Sequence, residues 1–288
     1  MRVLVFLTPI LLLLSFIPNA TANSPAAKPN REYLSLIDTA DNYVRRENWT
    51  LAEEYLIKAL KLQPAHPTNS LLFTNLGICK LNQSKPHEAL QYFEIAEVKS
   101  PESPKILLNK ARTLVLLDRN REAVSLLNTI IKKDSINSDA LLLRGNLLLL
   151  ANDYNGAVRD YERLSTLISP DPQLLSSLAH GYANINESAK AAKTYEEALL
   201  KEHPSTVDQA AALFYISIDN IERAKEIINR SIRKNPNEGN LYMIRAIIHE
   251  ILYQNSDAEI DKKIAMAKGT DLKDFDQYLP TESKRKRK

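Results

Sequence analysis

The stretch from Leu76 to Pro101, LGICKLNQSKPHEALQYFEIAEVKSP, decides the fold of the chain. It places a glycine, Gly77, directly after a leucine, and an alanine, Ala89, twelve residues later. An aromatic ring follows at Phe93, and a proline ends the stretch. Two helices can approach closely only where their side chains are small, because bulky residues hold the axes apart. The stretch therefore predicts a helix, a short turn and a second helix packed against the first.

These small residues recur along the chain with one long period. The alanine recurs at steps of 37, 34, 34, 34, 33 and 34 residues: Ala52, Ala89, Ala123, Ala157, Ala191, Ala224 and Ala258. Twelve positions before each alanine lies another small residue: Ala40, Gly77, Ala111, Gly145, Ala179, Ala212 and Ala246. The ring at Phe93 recurs as Tyr161 and Tyr195, and as aliphatic residues at Leu56, Leu127 and Ile228. One helix pair cannot bury its apolar face alone, so we expect the pairs to stack on one another.

This pattern resembles the tetratricopeptide repeat, a helix–turn–helix unit of about 34 residues. The resemblance covers about Tyr33 to Lys268 and implies an all-α fold, a right-handed superhelical solenoid of about seven repeats. The residues expected to pack the repeats together are Gly77, Ala89, Ala123, Gly145, Ala157, Ala191 and Ala224. Beyond the last repeat, Leu272, Phe275 and Leu279 fall at helical spacing and predict a short C-terminal capping helix laid over that repeat.

Two positions depart from the apolar pattern of the repeats. Asp208 stands where the sixth helix pair should carry a large apolar residue, and Lys262 replaces the ring in the seventh pair. Terminal repeats are expected to be atypical because one of their faces meets water. Before the second helices, Asn120, Asp153 and Ser188 are expected to act as caps or turn residues.

The two ends of the chain lie outside the repeats. An apolar run from Val3 to Ile17, broken by Pro18 and followed by Ala20-Thr21-Ala22, is typical of a cleaved secretory signal peptide. An uncleaved membrane anchor is the alternative. We expect no stable membrane span after cleavage, and a final location in the periplasm, the cell envelope or outside the cell. The predicted organisation is a signal peptide (1–22), a flexible leader (23–31), the solenoid (32–268), the capping helix (269–281) and a basic tail (282–288).

The positive charge of the chain is concentrated in its last five residues. The whole chain carries +3, and the run Lys284-Arg285-Lys286-Arg287-Lys288 alone carries +5. Because Arg2 contributes one further positive charge, residues 23–283 carry −3. A basic tail attracts polyanions and acidic lipid surfaces. One alternative function is therefore a polyanion or membrane-surface binder acting through this tail; we expect no nucleic-acid partner.

The sequence contains no arrangement typical of an enzyme. None of its five histidines has the partner required by a zinc-binding helix motif, and phosphate-binding and dinucleotide-binding motifs are absent. The single cysteine, Cys79, lies inside a predicted helix and is expected to be a buried thiol. Trp49, the single tryptophan, shares its repeat position with Tyr154 and Ile221 and is expected to pack in the core. We therefore predict no catalytic residue, no metal site and no cofactor.

The family resemblance places the partner-binding surface on the first helices of successive repeats, which line a concave groove. The wider set of groove positions is Thr74, Asn75, Ile78, Lys105, Leu108, Asn109, Arg112, Leu142, Asn146, Leu149, Gln173, Ser176, His180, Gln209, Leu213, Met243 and Ile247. The residues singled out for partner binding are Asn75, Lys105, Asn109, Arg112, Asn146 and His180. An asparagine amide both donates to and accepts from a peptide backbone, and paired cations can hold a carboxylate.

One subtype of the family holds the C-terminal carboxylate of chaperone tails with lysine, asparagine and arginine side chains. Asn75, Lys105 and Asn109 match parts of that layout, but the first-repeat positions are Ile37 and Asp41, so the clamp is incomplete. The favoured hypothesis is a non-enzymatic scaffold or adaptor that binds a protein or peptide partner in the groove, in the cell envelope. A co-chaperone of a secretory pathway is a further alternative. The sequence leaves the oligomeric state open.

Overall fold

The computed structural model describes residues 29–101 and 103–278. These residues form fourteen α-helices followed by one 3-10 helix, with no β-strand among them. The helices are α1 (Arg31–Arg45), α2 (Trp49–Leu62), α3 (Asn69–Asn82), α4 (Pro86–Lys99), α5 (Pro104–Leu116), α6 (Asn120–Lys133), α7 (Ser138–Leu150), α8 (Tyr154–Leu167), α9 (Pro172–Asn184), α10 (Ser188–Leu200), α11 (Ser205–Ser217), α12 (Ile221–Lys234), α13 (Gly239–Ile251) and α14 (Asn255–Ala267). They confirm the predicted all-α fold of about seven helix pairs, numbered here in chain order.

The ends of the chain are described only in part. The predicted signal peptide (1–22), residues 23–28 of the leader and the basic tail (282–288) lie outside the described residues. The expected capping helix is present as a 3-10 helix, Leu272–Tyr278, and residues 279–281 of that prediction also lie outside the described part. Gly269 follows α14 with a φ of +87°, a left-handed conformation that glycine adopts readily.

The chain divides into two compact units, Met1–Ala140 and Leu141–Lys288. Unit 1 holds α1 to α6 and the first residues of α7, and unit 2 holds the remainder. Within each unit the two helices of a pair pack together, and first helices also pack against first helices. In unit 1, α3 contacts α4 and α5; in unit 2, α9 contacts α10 and α11, and α11 contacts α13.

The two columns of small residues lie at these helix contacts. Every alanine of both columns is buried, and so are Gly77 and Gly145. A Cβ atom added to Gly77 would lie 2.6 Å from the Phe93 ring, and one added to Gly145 would lie 2.6 Å from the Tyr161 ring. The small column and the ring column therefore touch within a pair.

The turn inside each pair holds one residue in the left-handed region. The φ angles of these residues lie between 56° and 63°: Glu47, Ser84, Asp118, Asn152, Asn186, Asp219 and Tyr253. The amide after the turn residue donates back into the first helix, as from Lys85 N to Lys80 O over 2.9 Å. Of the three predicted caps, Asp153 accepts from the Gly156 amide at 2.9 Å, whereas Asn120 and Ser188 are the first helical residues.

The two departures from the apolar pattern are satisfied by polar partners. Asp208 is buried and accepts hydrogen bonds from Ser231 Oγ at 2.9 Å and Arg230 Nη2 at 3.2 Å, with His203 Nε2 3.1 Å away. Lys262 is half-buried and pairs with Glu250 and Glu259. Burial lowers the pKa of Lys262, but these two carboxylates outweigh it and leave the pKa raised. A buried charge is tolerated where such partners replace water.

Cys79 and Trp49 lie where the sequence predicted. Cys79 is a fully buried thiol, and burial raises its pKa to about 11. Trp49 opens α2 and packs, half-buried, against the core of the first two pairs. Neither residue is placed to hold a ligand, because both are used by the core.

Candidate functional site

The unit 1 face is the outward side of the first helices α1, α3, α5 and the start of α7. Its members are Leu34, Ile37, Leu71, Asn75, Ile78, Lys105, Leu108, Asn109, Arg112 and Asp139. The first two of these helices, α1 and α3, begin side by side. Tyr33 Oη at the start of α1 donates to Asn69 Oδ1 at the start of α3 over 2.8 Å. Tyr33 and Asn69 are both buried, so this contact fixes the two helix starts.

One repeat position forms an exposed ladder across the unit 1 face. Leu34, Leu71, Lys105 and Asp139 follow one another at steps of 37, 34 and 34 residues. Leu34 is 45% exposed and Leu71 is 53% exposed, and the two charged residues are also exposed. The ladder thus changes from apolar to charged along the unit. Only Lys105 belonged to the predicted groove set; the repeat spacing from Lys105 was the signal that would have found the others.

The charged end of the ladder contains an exposed ion pair. Arg112 Nη2 donates to Asp139 Oδ1 over 3.0 Å, and both side chains are about half exposed. Exposed pairs of this kind contribute little to stability, about 0–1 kcal/mol. The guanidinium is therefore available to exchange its partner for the carboxylate of a bound peptide, next to the exposed Lys105 ammonium.

The two asparagines predicted for unit 1 sit deeper. Asn75 and Asn109 are half-buried, on α3 and α5. The Asn109 carbonyl accepts from Thr113 Oγ1 at 2.8 Å, which is a contact within its own helix. The structure therefore brings Asn75, Lys105, Asn109 and Arg112 onto one face of unit 1, with the two cations outermost.

The unit 2 face is the outward side of the first helices in unit 2, and its exposed or half-buried members are Leu142, Asn146, His180, Gln209 and Leu213. Asn146 is exposed and accepts from Tyr161 Oη at 2.7 Å. The hydroxyl of the buried ring that packs on Gly145 therefore reaches Asn146 from beneath this face. His180 is also exposed, with its ring edge-to-face on Tyr154 at 6.0 Å between centroids, and partial burial lowers its pKa.

In the seventh pair, the first helix α13 is more buried than predicted. Met243 and Ile247 were predicted as groove positions, and this is wrong because both are 0% exposed. The same correction applies to Thr74 on α3 and Ser176 on α9, which are 1% and 5% exposed. Leu142, which has the repeat position of Met243, is 40% exposed. The helix α13 contacts the 3-10 helix Leu272–Tyr278, a covering that repeat periodicity does not encode.

Neither face contains an arrangement of catalytic or metal-binding groups. Within residues 29–101 and 103–278, no three histidine, cysteine, aspartate or glutamate side chains are grouped so that they could hold a metal ion. In the buried cluster at Asp208, both Ser231 and His203 contact the carboxylate, so the imidazole does not face the serine hydroxyl as a base would. Among the described helices, none is both long and apolar enough to cross a membrane.

The comparisons with known proteins agree with the repeat geometry. A sequence profile described as Tetratricopeptide repeat matches residues 37–104 and 108–172. The crystal structure of a tetratricopeptide repeat protein from Parabacteroides merdae superposes with a TM-score of 0.67 at 23% identity, covering 87% of this chain and 98% of that one. With seven buried small-residue pairs at the same period, the chain is a tetratricopeptide repeat protein.

Curated relatives match only part of the chain. A DnaJ homolog subfamily C member 3 homolog from Dictyostelium discoideum is 30% identical over 97 residues, 32% of this chain and 19% of that protein. DnaJ protein P58IPK homolog B from Oryza sativa subsp. japonica is 32% identical over 127 residues, 44% of this chain and 26% of that protein. The chain thus spans about a quarter or less of the length of these relatives.

Proposed function

We propose that this protein is a non-enzymatic scaffold that captures a peptide segment of a partner protein on the unit 1 face. Tetratricopeptide repeats generally serve protein interaction, and their stacked helices present extended surfaces to partners. The observation that carries the proposal is the exposed ladder Leu34, Leu71, Lys105 and Asp139, with Arg112 beside its charged end.

The ladder defines the chemistry of the partner segment. Two leucines that are about half exposed offer apolar area, and burying such area yields roughly 25 cal/mol per Å². The Lys105 ammonium and the Arg112 guanidinium favour a carboxylate at the other end. A segment with apolar side chains followed by an acidic residue or a C-terminal carboxylate matches both features.

The test is capture of the partner from the native compartment by the full chain and by charge variants. Lys105→Ala combined with Arg112→Ala should reduce capture at least tenfold, since two charge-assisted contacts are lost. The matched control, Arg121→Ala combined with Lys132→Ala, removes two exposed cations from the second helix α6 and should leave capture unchanged. Circular dichroism should show equal helix content in all three proteins. Equal capture by both double variants would contradict the proposal.

The location that we propose is the cell envelope or the secretory pathway of the source cell. The apolar run Val3–Ile17 with the small residues at Ala20 and Ala22 supports export. The two DnaJ relatives support a co-chaperone role in such a pathway as a second candidate, through the segments in which they match. Fractionation of cells, with mass spectrometry of the N-terminus, tests export directly; a full-length chain in the cytosol would contradict it.

The rival function is polyanion or lipid binding through the basic tail, and it predicts that binding is lost when the tail is deleted. Removing Lys284 to Lys288 should leave partner capture intact if the unit 1 face is the site. The same deletion should weaken retention on heparin or acidic vesicles, because it removes five positive charges. Loss of partner capture in the deletion would favour the tail instead.

A further inference from the structure

At two repeat positions the first helix of the seventh pair is more buried than the first helices of the six pairs before it, whereas at the position of Met243 the earlier residues Thr74 and Ser176 are buried as well. At the repeat position of Ile247, the earlier pairs carry partly or fully exposed residues: Asp41, Ile78, Arg112, Asn146, His180 and Leu213. At the position of Glu250 the earlier pairs are all half-buried: Val44, Leu81, Val115, Leu149, Ala183 and Ile216. In the seventh pair Ile247 and Met243 are 0% exposed and Glu250 is buried.

This burial differs from that of an uncovered repeat end, and it agrees with the capping helix that the sequence predicts over the last repeat. A terminal repeat lacks a following neighbour, so its surface is normally more exposed than that of an internal repeat. An additional element must therefore cover α13. The 3-10 helix Leu272–Tyr278 contacts α13, and Phe275 at its centre is only 7% exposed.

A second observation shows in which direction the segment runs. Tyr278, at the end of the 3-10 helix, is near enough to Tyr195 to contribute, after burial, to the raised pKa of that phenol. Tyr195 belongs to the fifth pair, and its ring lies 5.1 Å, centroid to centroid, from Phe214 on α11. The segment thus leads from α13 in the seventh pair toward Tyr195 and the neighbouring α11.

We propose that the unit 2 face, at α11 and α13, is a docking site for a short aromatic segment, and that residues 272–278 occupy it in cis. The partner that fits this site carries the same chemistry, an aromatic residue such as Phe275 flanked by acidic residues, as in Asp271-Leu272-Lys273-Asp274-Phe275-Asp276. Such a segment competes with the chain's own segment for Met243 and Ile247. This inference deepens the proposed function, on which it rests in treating first helices as the binding surface.

The competition has a physical consequence for affinity. A tethered segment acts at an effective concentration in the millimolar range, so an incoming peptide must overcome that occupancy. A partner binding unit 2 therefore binds more tightly once the segment is released. The exposed residues Lys273 and Asp274 do not contribute buried area, so Phe275 is the anchor.

Thiol labelling of the full chain tests this site. Met243→Cys places a thiol at a buried position of α13 that the proposal assigns to the segment's site, and Cys79 gives little background because it is buried with its pKa raised. Adding Phe275→Asp should accelerate labelling of the new thiol about 10–100-fold, the range expected for releasing one buried aromatic side chain. The control substitution Lys273→Asp, in the same segment, should not accelerate labelling of that thiol. Leu142→Cys, at the open equivalent position, should label rapidly with or without Phe275→Asp. Equal labelling of Met243→Cys in all three backgrounds would overturn the inference.

A peptide added in trans tests the chemistry of the partner. The synthetic peptide of residues 271–278, at about 1 mM, should slow labelling of Met243→Cys in the Phe275→Asp chain at least twofold. The same peptide with aspartate in place of phenylalanine should have no effect. Lack of protection by the first peptide would overturn the assigned partner chemistry. Neither labelling result depends on Lys105 or Arg112, so the proposed unit 1 function can fail independently.

Discussion

At the scale of single residues, the choice between glycine and alanine in the column of small residues follows the size of the side chain at the facing position. Glycine stands opposite rings, at Gly77 with Phe93 and at Gly145 with Tyr161. Alanine faces aliphatic residues in other pairs: Ala40 with Leu56, Ala111 with Leu127 and Ala212 with Ile228. Ala179 with Tyr195 departs from this rule, and Tyr195 also lies 5.1 Å, centroid to centroid, from Phe214. The columns were predictable from spacing alone because small residues at helix crossings have few substitutes.

This complementarity predicts that Gly77 and Phe93 are energetically coupled. Gly77→Ala alone should destabilise the chain by about 1–3 kcal/mol, because the added methyl group overpacks against the Phe93 ring. The higher helix propensity of alanine offsets about 1 kcal/mol of that cost. Phe93→Leu alone should cost about 1–2 kcal/mol for the space it leaves. The double variant recreates the alanine–leucine pair of repeats 1 and 3, so it should be more stable than the sum of the single changes by about 1–2 kcal/mol. Urea unfolding followed by circular dichroism measures this; additive effects would contradict it.

At the scale of helices, the sequence predicted the number and order of elements but not how their ends and ion pairs are arranged. The left-handed turn residues include Glu47, Ser84 and Tyr253, types that carry no glycine-like signal, so only the repeat period marks them. The 3-10 form of Leu272–Tyr278 is likewise set by packing on α13, which involves contacts distant in sequence. The exposed leucines of the ladder, Leu34 and Leu71, were missed because the repeat position of Lys105 was not followed back to the first two pairs.

The sequence also did not predict the ion pairs that join the two helices of one repeat. Arg144 and Arg245 precede their small residues by one position, and each forms a two-point contact with an aspartate sixteen residues later, Asp160 and Asp261, at 2.6–2.7 Å. Both aspartates are buried. The same two positions hold Leu76 and Tyr92 in the second pair and Ala211 and Ile227 in the sixth. The charged pair is therefore an alternative to apolar contact at one place in the repeat.

This alternative leads to a prediction for the fourth pair. Asp160→Ile alone should destabilise the chain by about 3 kcal/mol, the low end for a broken buried pair, since the Arg144 side chain is 21% exposed and still reaches water. Arg144→Leu with Asp160→Ile should restore stability to within about 1 kcal/mol of the original, because apolar pairs replace buried ion pairs at little cost. Denaturant midpoints of the three proteins decide this. A double variant as unstable as Asp160→Ile would show that the charges are needed.

At the scale of the whole molecule, the two units present their first helices differently. Unit 1 leaves Leu34, Leu71, Lys105 and Asp139 exposed, whereas the end of unit 2 is covered by the chain's own C-terminal segment. The sequence predicted that first helices carry the binding residues, since the family resemblance implies it. It also predicted a capping helix over the last repeat, but it did not predict that Met243 and Ile247 on α13 would be buried, because the repeat period gives no information about the contacts of that segment.

The open face of unit 1 gives a prediction that separates exposure from function. Leu71 lies on a first helix and is 53% exposed, whereas Val98 lies on the second helix of the same pair and is 82% exposed. If general hydrophobic exposure drove capture, a photo-reactive phenylalanine analogue would crosslink the partner more strongly at position 98. If the ladder is the site, crosslinking should occur at position 71, and Lys105→Ala with Arg112→Ala should abolish it. The crosslinked bands, read by immunoblot and mass spectrometry, distinguish the two. A crosslink confined to position 98 would move the binding surface to the second helices and remove the basis for the apolar-to-acidic partner segment, because no ladder of that composition would then be in contact with it.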